Sequence, residues 1–180
     1  MTAISRPAVF LALLALLAVT RFGHFGSAIS LPDASLAVFL MGGLWLGGLR
    51  CFATYAIVAF GIDVLLAKTA IEAGWCLTPA YGGLVAAYGV VWLFGRGLAK
   101  LPELPVLRLA TVGLLAVVAH FLISNLAFWA FSGYFGQMTA TAYASAVVKY
   151  LPPYLMTTAF YLALGWIAQR LVTTRLVAKA

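Results

Sequence analysis

The chain has 180 residues, of which 65% are hydrophobic and only 8% are charged. Because soluble domains carry roughly 25% charged residues, this composition argues against a water-soluble fold and indicates that lipid surrounds most of the chain. The formal net charge of +7 does not indicate nucleic-acid binding, because the eleven lysines and arginines lie between or at the ends of apolar segments rather than in a basic run interleaved with aromatic residues.

The apolar runs predict one all-α domain over residues 1–180, a bundle of six transmembrane helices. In chain order the predicted spans are residues 7–22, 34–49, 51–67, 78–97, 105–131 and 153–172. The first run is short enough to be a cleaved signal-peptide core as well. A retained helix is favoured because Arg21 can snorkel to the interface and Phe22 can extend the span.

Local signals set some of the predicted helix starts and contacts. Asp33 or Ser35 is a suitable N-cap for the second helix, and Thr78 with Pro79 forms a start signal for the fourth. The second helix also contains Gly43-x-x-x-Gly47, a small-residue face that allows close helix packing. No strand alternation and no long-period repeat appears in the sequence.

The distribution of basic residues predicts that both termini are cytoplasmic. With the N-terminus inside, three cations fall on the outer side: Arg21, Lys68 and Lys149. Eight fall on the inner side: Arg6, Arg50, Arg96, Lys100, Arg108, Arg170, Arg175 and Lys179. This bias follows the positive-inside rule and requires an even number of spans. We expect a multi-pass protein of a bacterial cytoplasmic membrane.

The other polar side chains concentrate on the predicted outer side. They are His24, Asp33, Asp63, Glu72, Trp75, Cys76, Tyr81, Tyr134, Gln137, Tyr143 and Tyr150. An outward-facing pocket formed by three loops suits capture of a substrate, and the aromatic members would suit a large planar ligand. An intramembrane metal relay fits poorly, because the helices hold almost no ionisable groups.

Four of these residues have the chemistry of a binding site, and each also has a plainer interpretation. Asp63 accepts hydrogen bonds from a substrate or orients His24, or else it forms a structural ion pair with Lys68 or a helix-end group. Cys76 lies near the positive end of the fourth helix, where a reactive thiolate is favoured, although a buried cysteine is often inert. His24 is a possible ligand or proton carrier, or simply solvated. Tyr81 lies in the first turn of the fourth helix.

Two further residues are predicted to be structural. His120 lies near the middle of the fifth helix and is expected to be a hydrogen-bonded core residue. Cys51 lies at the inner end of the third helix, on the opposite membrane face from Cys76, so it is expected to contribute only to packing.

The stretch Trp75-Cys76-Leu77-Thr78-Pro79-Ala80-Tyr81, together with His24 and Asp63, resembles the solitary cobalamin-specific S-components of energy-coupling-factor vitamin transporters, the BtuM-like family. The resemblance covers essentially the whole chain and includes the alanines Ala8 and Ala12 on the first helix. It implies an S-component-like six-helix fold and uptake of vitamin B12 or related corrinoids from an outward cavity.

The resemblance also implies the roles of particular residues. His24, Asp63, Cys76 and Tyr81 would bind the substrate, and the Cys76 thiolate would ligate the cobalt of the corrinoid, with possible removal of its cyano ligand. No intrinsic cofactor is implied, and cobalamin is the bound substrate. The lipid bilayer and a shared energising module would be the partners, the latter through Ala8 and Ala12, which ordinary helix packing explains equally well.

Three alternatives stay open at the level of sequence. The chain is an S-component for a different vitamin, since one fold serves many ligands. It is a thiol-dependent membrane enzyme with Cys76 as nucleophile and His24 as base. Or it is a structural subunit of a larger membrane complex. The sequence contains no G-x-x-x-x-G-K-[ST] loop, so any ATP hydrolysis must come from another chain.

Overall fold

The structure is a computed structural model that describes residues 5–21, 31–69, 77–101 and 104–177. Every regular element in these ranges is helical, as the composition predicts. A single turn of 3-10 helix, Val148–Tyr150, joins the last two α-helices. The α-helices are α1 (Arg6–Arg21), α2 (Ser35–Trp45), α3 (Leu49–Thr69), α4 (Tyr81–Leu98), α5 (Val106–Phe131), α6 (Ala140–Val147) and α7 (Leu151–Val177).

Some helix boundaries differ from those predicted from the sequence. α2 ends at Trp45, because Gly47 adopts a positive φ of 72° and turns the chain into α3. α4 begins at Tyr81 rather than Thr78, and the Thr78 hydroxyl accepts a hydrogen bond from the Ala80 N–H at 3.3 Å in the turn before the helix. Asp33 precedes the N-cap position of α2, and its carboxylate accepts a 2.8 Å bond from the Ser35 N–H.

Three segments of the described chain are long and apolar enough to cross a membrane. They are Leu49–Lys68, Val106–Phe131 and Ala140–Val172, and the shorter α2 is also strongly apolar. Many large side chains of these helices face outward, for example Leu49, Leu107 and Met156, each more than 70% exposed. An apolar exterior of this kind is a liability in water but matches a lipid environment. The chain is therefore a helical membrane protein.

The core of the bundle forms around α2. All residues of α2 from Ser35 to Gly43 are buried. One side of α2 packs so closely on α4 that a Cβ atom on Gly43 would lie 2.1 Å from the Trp92 carbonyl oxygen, and one on Gly95 would lie 2.0 Å from the Leu40 carbonyl oxygen. Glycine at these two positions is what lets the two helix backbones touch.

Two hydrogen bonds identify the ends of the bundle. At the start of α1, the Arg6 guanidinium donates to the Leu46 carbonyl oxygen beyond the end of α2 at 2.5 Å. At the end of α1, the Thr20 hydroxyl accepts from the Ala34 N–H before the start of α2 at 3.1 Å. We call the end of the bundle that contains the first bond the Arg6 end and the end that contains the second bond the Arg21 end. The candidate site lies at the Arg21 end.

Candidate functional site

A buried ion pair between α1 and α3 is the central feature of the Arg21 end. The Arg21 guanidinium donates from Nε to Oδ1 of Asp63 at 2.7 Å and from Nη2 to Oδ2 at 2.6 Å. The Arg21 side chain is 3% exposed and that of Asp63 is 14% exposed. This two-point geometry matches the planar guanidinium to the carboxylate, and it neutralises a charge that would otherwise be isolated in the bundle.

The remaining contacts of Arg21 tie α2 and α4 to this pair. Its Nη1 donates to the Ser35 hydroxyl at 2.7 Å and to the Tyr88 hydroxyl at 3.2 Å, and both of those residues are buried. The Ser35 hydroxyl in turn donates to the Asp33 carboxylate at 2.5 Å. One cation at the end of α1 therefore holds side chains from α2, α3 and α4 in fixed positions.

Tyr81 joins the cluster through Asp63. Its hydroxyl donates to Oδ2 of Asp63 at 2.9 Å, and its ring packs edge-on against Phe60 with the ring centroids 5.0 Å apart. Asp63 thus already accepts bonds from Arg21 on both oxygens and from Tyr81 on one. Because a carboxylate has about four acceptor positions, Asp63 has little capacity left for a ligand, and its main effect is to orient Tyr81.

Two of the four predicted site residues meet in the structure. Asp63 and Tyr81 are in direct contact. The other two, His24 and Cys76, lie outside the described residues. The sequence offers two ion-pair partners for Asp63, Lys68 or a group at a helix end. In the structure Asp63 pairs with Arg21, the last residue of α1, which is the helix-end alternative.

Sequence analysis missed Arg21 as part of the site. The prediction that Arg21 snorkels to the interface is wrong, because its side chain points into the bundle, where Asp63 and Ser35 offer hydrogen-bond acceptors that compensate for lost water. A signal was available, since Arg21 and Asp63 both fall in the outer part of their predicted helices. A sequence signal was available for Tyr88 too, because it lies seven residues after Tyr81 and therefore on the same face of α4.

His120 lies close to the cluster but does not behave as predicted. It is buried in α5, and its ring centroid is 4.8 Å from that of Tyr88. Neither ring nitrogen has a hydrogen-bond partner in the described part of the protein. The prediction of a core histidine is confirmed, whereas the prediction that it is hydrogen-bonded is not.

The aromatic residues between α5 and α7 divide into two groups. Tyr143 is buried on α6, where its hydroxyl donates to the Asn125 side-chain oxygen at 3.1 Å and its ring packs on Phe135. Tyr134 and Tyr150 are about half exposed, at 46% and 52%. Of these three tyrosines, the two exposed ones are therefore accessible to a ligand.

The helix α6 lies where the sequence predicts a loop. It spans Ala140–Val147, and the Thr139 hydroxyl caps it by accepting a hydrogen bond from the Ala142 N–H. The third predicted outer loop therefore contains a short helix that holds Tyr143 against α5.

The described residues contain no group of three or more histidine, cysteine, aspartate or glutamate side chains placed to hold a metal ion. Cys51 is a free, half-buried thiol in the first turn of α3, at the Arg6 end of the bundle. It is therefore remote from Asp63 and Tyr81.

Comparison with known proteins does not assign a family. No protein-family model matches the chain, and no curated protein is significantly similar to it in sequence.

Proposed function

We propose that this chain captures vitamin B12 or a related corrinoid on the outer side of a bacterial cytoplasmic membrane and carries it across, as a solitary S-component-like protein. The observation that supports the proposal is the Arg21–Asp63–Tyr81 cluster. It fixes the end of α1, the last turns of α3 and the start of α4 against one another. The segments that contain His24 and Cys76 extend from these same helix ends.

Chain length keeps both segments near the cluster. His24 follows Arg21 by three residues, and Cys76 precedes Tyr81 by five. Since consecutive Cα atoms are 3.8 Å apart, the Cα of His24 lies within about 11 Å of that of Arg21, and the Cα of Cys76 within about 19 Å of that of Tyr81. The histidine and the thiol are therefore close enough along the chain to reach the same large ligand as the Tyr81 phenol, which the Asp63 carboxylate orients.

Cys76 selects a corrinoid among vitamins. A thiolate is a soft donor that suits a transition metal such as the cobalt of a corrinoid, whereas the metal-free vitamins offer it no partner. In cyanocobalamin the thiolate would replace cyanide at one axial position. The Co–S bond forms with the sulfur electron pair, and cyanide leaves as an anion with its own pair, so no oxidant or reductant is required.

Arg21 and Asp63 act as positioning residues in this proposal. Because Asp63 is held by two bonds from Arg21, it presents a fixed acceptor to the Tyr81 hydroxyl. The Tyr81 ring is thereby held in a fixed position, from which it can pack against the corrin or hydrogen-bond its amide groups. His24 contributes a second polar contact or assists proton loss from the thiol.

Transport requires a membrane topology and an energy source. We propose six spans with both termini in the cytoplasm, so that the Arg21 end faces outward. On α1, the buried stripe is Val9, Leu13 and Leu17, while Ala8 and Ala12 are exposed. Packing within the bundle therefore does not occupy these alanines, which supports the proposal that this small-residue face meets the coupling subunit of an energising module.

The test is the visible absorption spectrum of the detergent-purified protein after incubation with cyanocobalamin and removal of free ligand. We expect the wild type to retain a red chromophore with a shifted spectrum, and Cys76→Ala to lose the shift. Cys51→Ala is the matched control, because it removes the other thiol and lies at the opposite end, and it should behave as wild type.

Tyr81→Phe tests the role of the Tyr81 hydroxyl in ligand binding in the same assay, with little change to the packing of the protein. The variant keeps the ring against Phe60 and removes only the hydroxyl that bonds to Asp63. We expect the shifted spectrum to persist with weaker retention of the ligand, by about five- to tenfold, which corresponds to one hydrogen bond of roughly 1 kcal/mol. A folded wild-type protein that stays colourless would overturn the corrinoid proposal, and a screen of flavin, thiamine and biotin would then test the other vitamins.

A further inference from the structure

A long apolar groove runs between α5 and α7, away from the Arg21–Asp63 cluster. Its walls are formed by α5 from Val106 to Val117 and by α7 from Leu155 to Ile167, and it encloses about 460 Å³. Specific small-molecule sites typically enclose roughly 300–1,000 Å³. The groove is therefore large enough for a ligand and is not a packing defect.

The groove opens sideways to the surface of the bundle. On one wall Ala110 and Leu114 are exposed, and on the other Ala159, Ala163 and Ile167 are exposed. Its floor is the contact between Gly113 and Leu162, where a Cβ atom on Gly113 would lie 2.9 Å from Leu162 Cδ1. In a membrane protein, a ligand that enters this groove comes from the bilayer and not from water.

The length of the groove matches one leaflet. The α7 wall extends over twelve residue steps from Leu155 to Ile167, which at 1.5 Å per residue is about 18 Å. Half of the hydrocarbon core of a bilayer is about 15 Å thick. One acyl chain lying parallel to the helices would fill the groove from the middle of the membrane to its surface.

Charge at the mouth of the groove determines which lipid fits. Arg170 lies one turn beyond Trp166 and Ile167 on α7, is exposed, and holds its guanidinium 5.1 Å from the centroid of the Trp166 ring. An exposed cation one turn beyond the end of the groove complements the phosphate of an anionic lipid headgroup.

We propose that this groove binds one anionic phospholipid, with an acyl chain between α5 and α7 and its headgroup phosphate on Arg170. The site is independent of the corrinoid proposal, since it shares no residue with the Arg21–Asp63 cluster. Its position at the Arg6 end assigns it to the leaflet on that side of the membrane.

The test is native mass spectrometry of the full chain in detergent, titrated with dioleoyl phosphatidylglycerol or dioleoyl phosphatidylcholine. We expect wild type to retain one phosphatidylglycerol at a roughly fivefold lower lipid concentration than phosphatidylcholine, the preference that one headgroup–arginine contact gives. Arg170→Gln should abolish this preference. Arg108→Gln, which removes an exposed cation from the opposite face of α5, should keep it.

Filling the groove tests the acyl-chain part of the proposal. Ala163→Phe places a ring in the groove from α7, and Ala110→Phe does so from α5; both start from exposed alanines, so neither forces a clash in the core. Each should remove the retained lipid. Ala168→Phe, on the opposite exposed face of α7, should leave it in place.

Three results would overturn the proposal. Equal retention of the two lipids by wild type would exclude selection of an anionic lipid, because phosphatidylcholine carries the same phosphate but is neutralised by its choline. Unchanged retention in both groove-filling variants would place the lipid elsewhere. Detection of a dimer that both filling variants dissociate would assign the groove to a second copy of the chain.

Discussion

Arg21 is a charged residue buried away from water, so only protein groups can solvate its guanidinium. Its side chain is 3% exposed, and four hydrogen bonds connect it to Asp63, Ser35 and Tyr88. Removing only Asp63 would leave this cation without its counter-charge. Breaking a buried pair in this way costs about 3–5 kcal/mol, much more than the loss of an exposed ion pair.

We therefore predict that Asp63→Leu lowers the free energy of unfolding in detergent micelles by about 3–5 kcal/mol, measured by denaturant titration. The double variant Arg21→Met with Asp63→Leu should recover most of this loss, because no charge is then left unpaired. Lys68→Ala removes the cation that the sequence offers as a partner for Asp63 but that does not pair with it in the structure. This variant should change the free energy of unfolding by less than about 0.5 kcal/mol. A larger loss in Lys68→Ala than in Asp63→Leu would contradict the observed pairing.

At single residues, the sequence identifies unusual chemistry but not its partners. Asp63 stands out because a carboxylate in an apolar helix must be compensated. Its partner is 42 positions away on α1, and pairing at that separation depends on the rotation of two helices about their axes. No local sequence pattern encodes that rotation, and for this reason the sequence predicts an interfacial Arg21 instead of a buried one.

At the scale of helices, the contact between α2 and α4 depends on glycine. A Cβ atom on Gly43 would lie 2.1 Å from the Trp92 carbonyl oxygen, which belongs to the backbone and cannot move aside without displacing α4. By contrast, a Cβ atom on Gly61 of α3 would meet nothing within 4 Å. These two helical glycines provide a matched pair for the same substitution.

We predict opposite effects of alanine at these positions. Gly43→Ala should destabilise the protein by about 1–3 kcal/mol or more, because overpacking forces two helices apart. Gly61→Ala should be neutral or stabilising by up to about 1 kcal/mol, because alanine is the better helix former and the site is open. Thermal unfolding of both variants in the same detergent measures the difference, and equal effects would show that α2 and α4 do not touch as described.

Long apolar helices are easier to predict from the sequence than short helices. Apolar runs locate α1, α3, α5 and α7 because a helix in lipid must satisfy its own backbone hydrogen bonds over a long stretch. The same pattern does not reveal α6, because it has only eight residues and lies in a segment rich in polar side chains. The sequence signal for the start of α6 is its N-cap residue Thr139, whose hydroxyl accepts from the N–H of Ala142, three residues later.

At the scale of the whole molecule, the two ends of the bundle carry different charges. The described arginines at the starts of α1, α3 and α5, in the last turn of α4 and two turns before the end of α7 all belong to the Arg6 end: Arg6, Arg50, Arg96, Arg108 and Arg170. At the opposite end lie Lys68, Lys149 and Arg21, of which Arg21 is buried and neutralised by Asp63. The surface charge that the positive-inside rule counts is therefore even more one-sided than the sequence count of eight against three.

This asymmetry makes the two native cysteines reporters of topology. Cys51 lies in the first turn of α3, at the Arg6 end. Cys76 precedes α4, which begins at the Arg21 end. If the Arg6 end is cytoplasmic, a membrane-impermeant maleimide should label Cys51→Ala in intact cells through Cys76. It should label Cys76→Ala, through Cys51, only after permeabilisation.

Two other labelling patterns would contradict this topology. The reverse pattern would place the Arg21 cluster inside the cell, where it could not capture a substrate from outside. Labelling of both variants without permeabilisation would mean that the two helix ends share one face, which is incompatible with α3 as a span. The Cys51→Ala/Cys76→Ala double variant, which should stay unlabelled under both conditions, sets the background against which each pattern is measured.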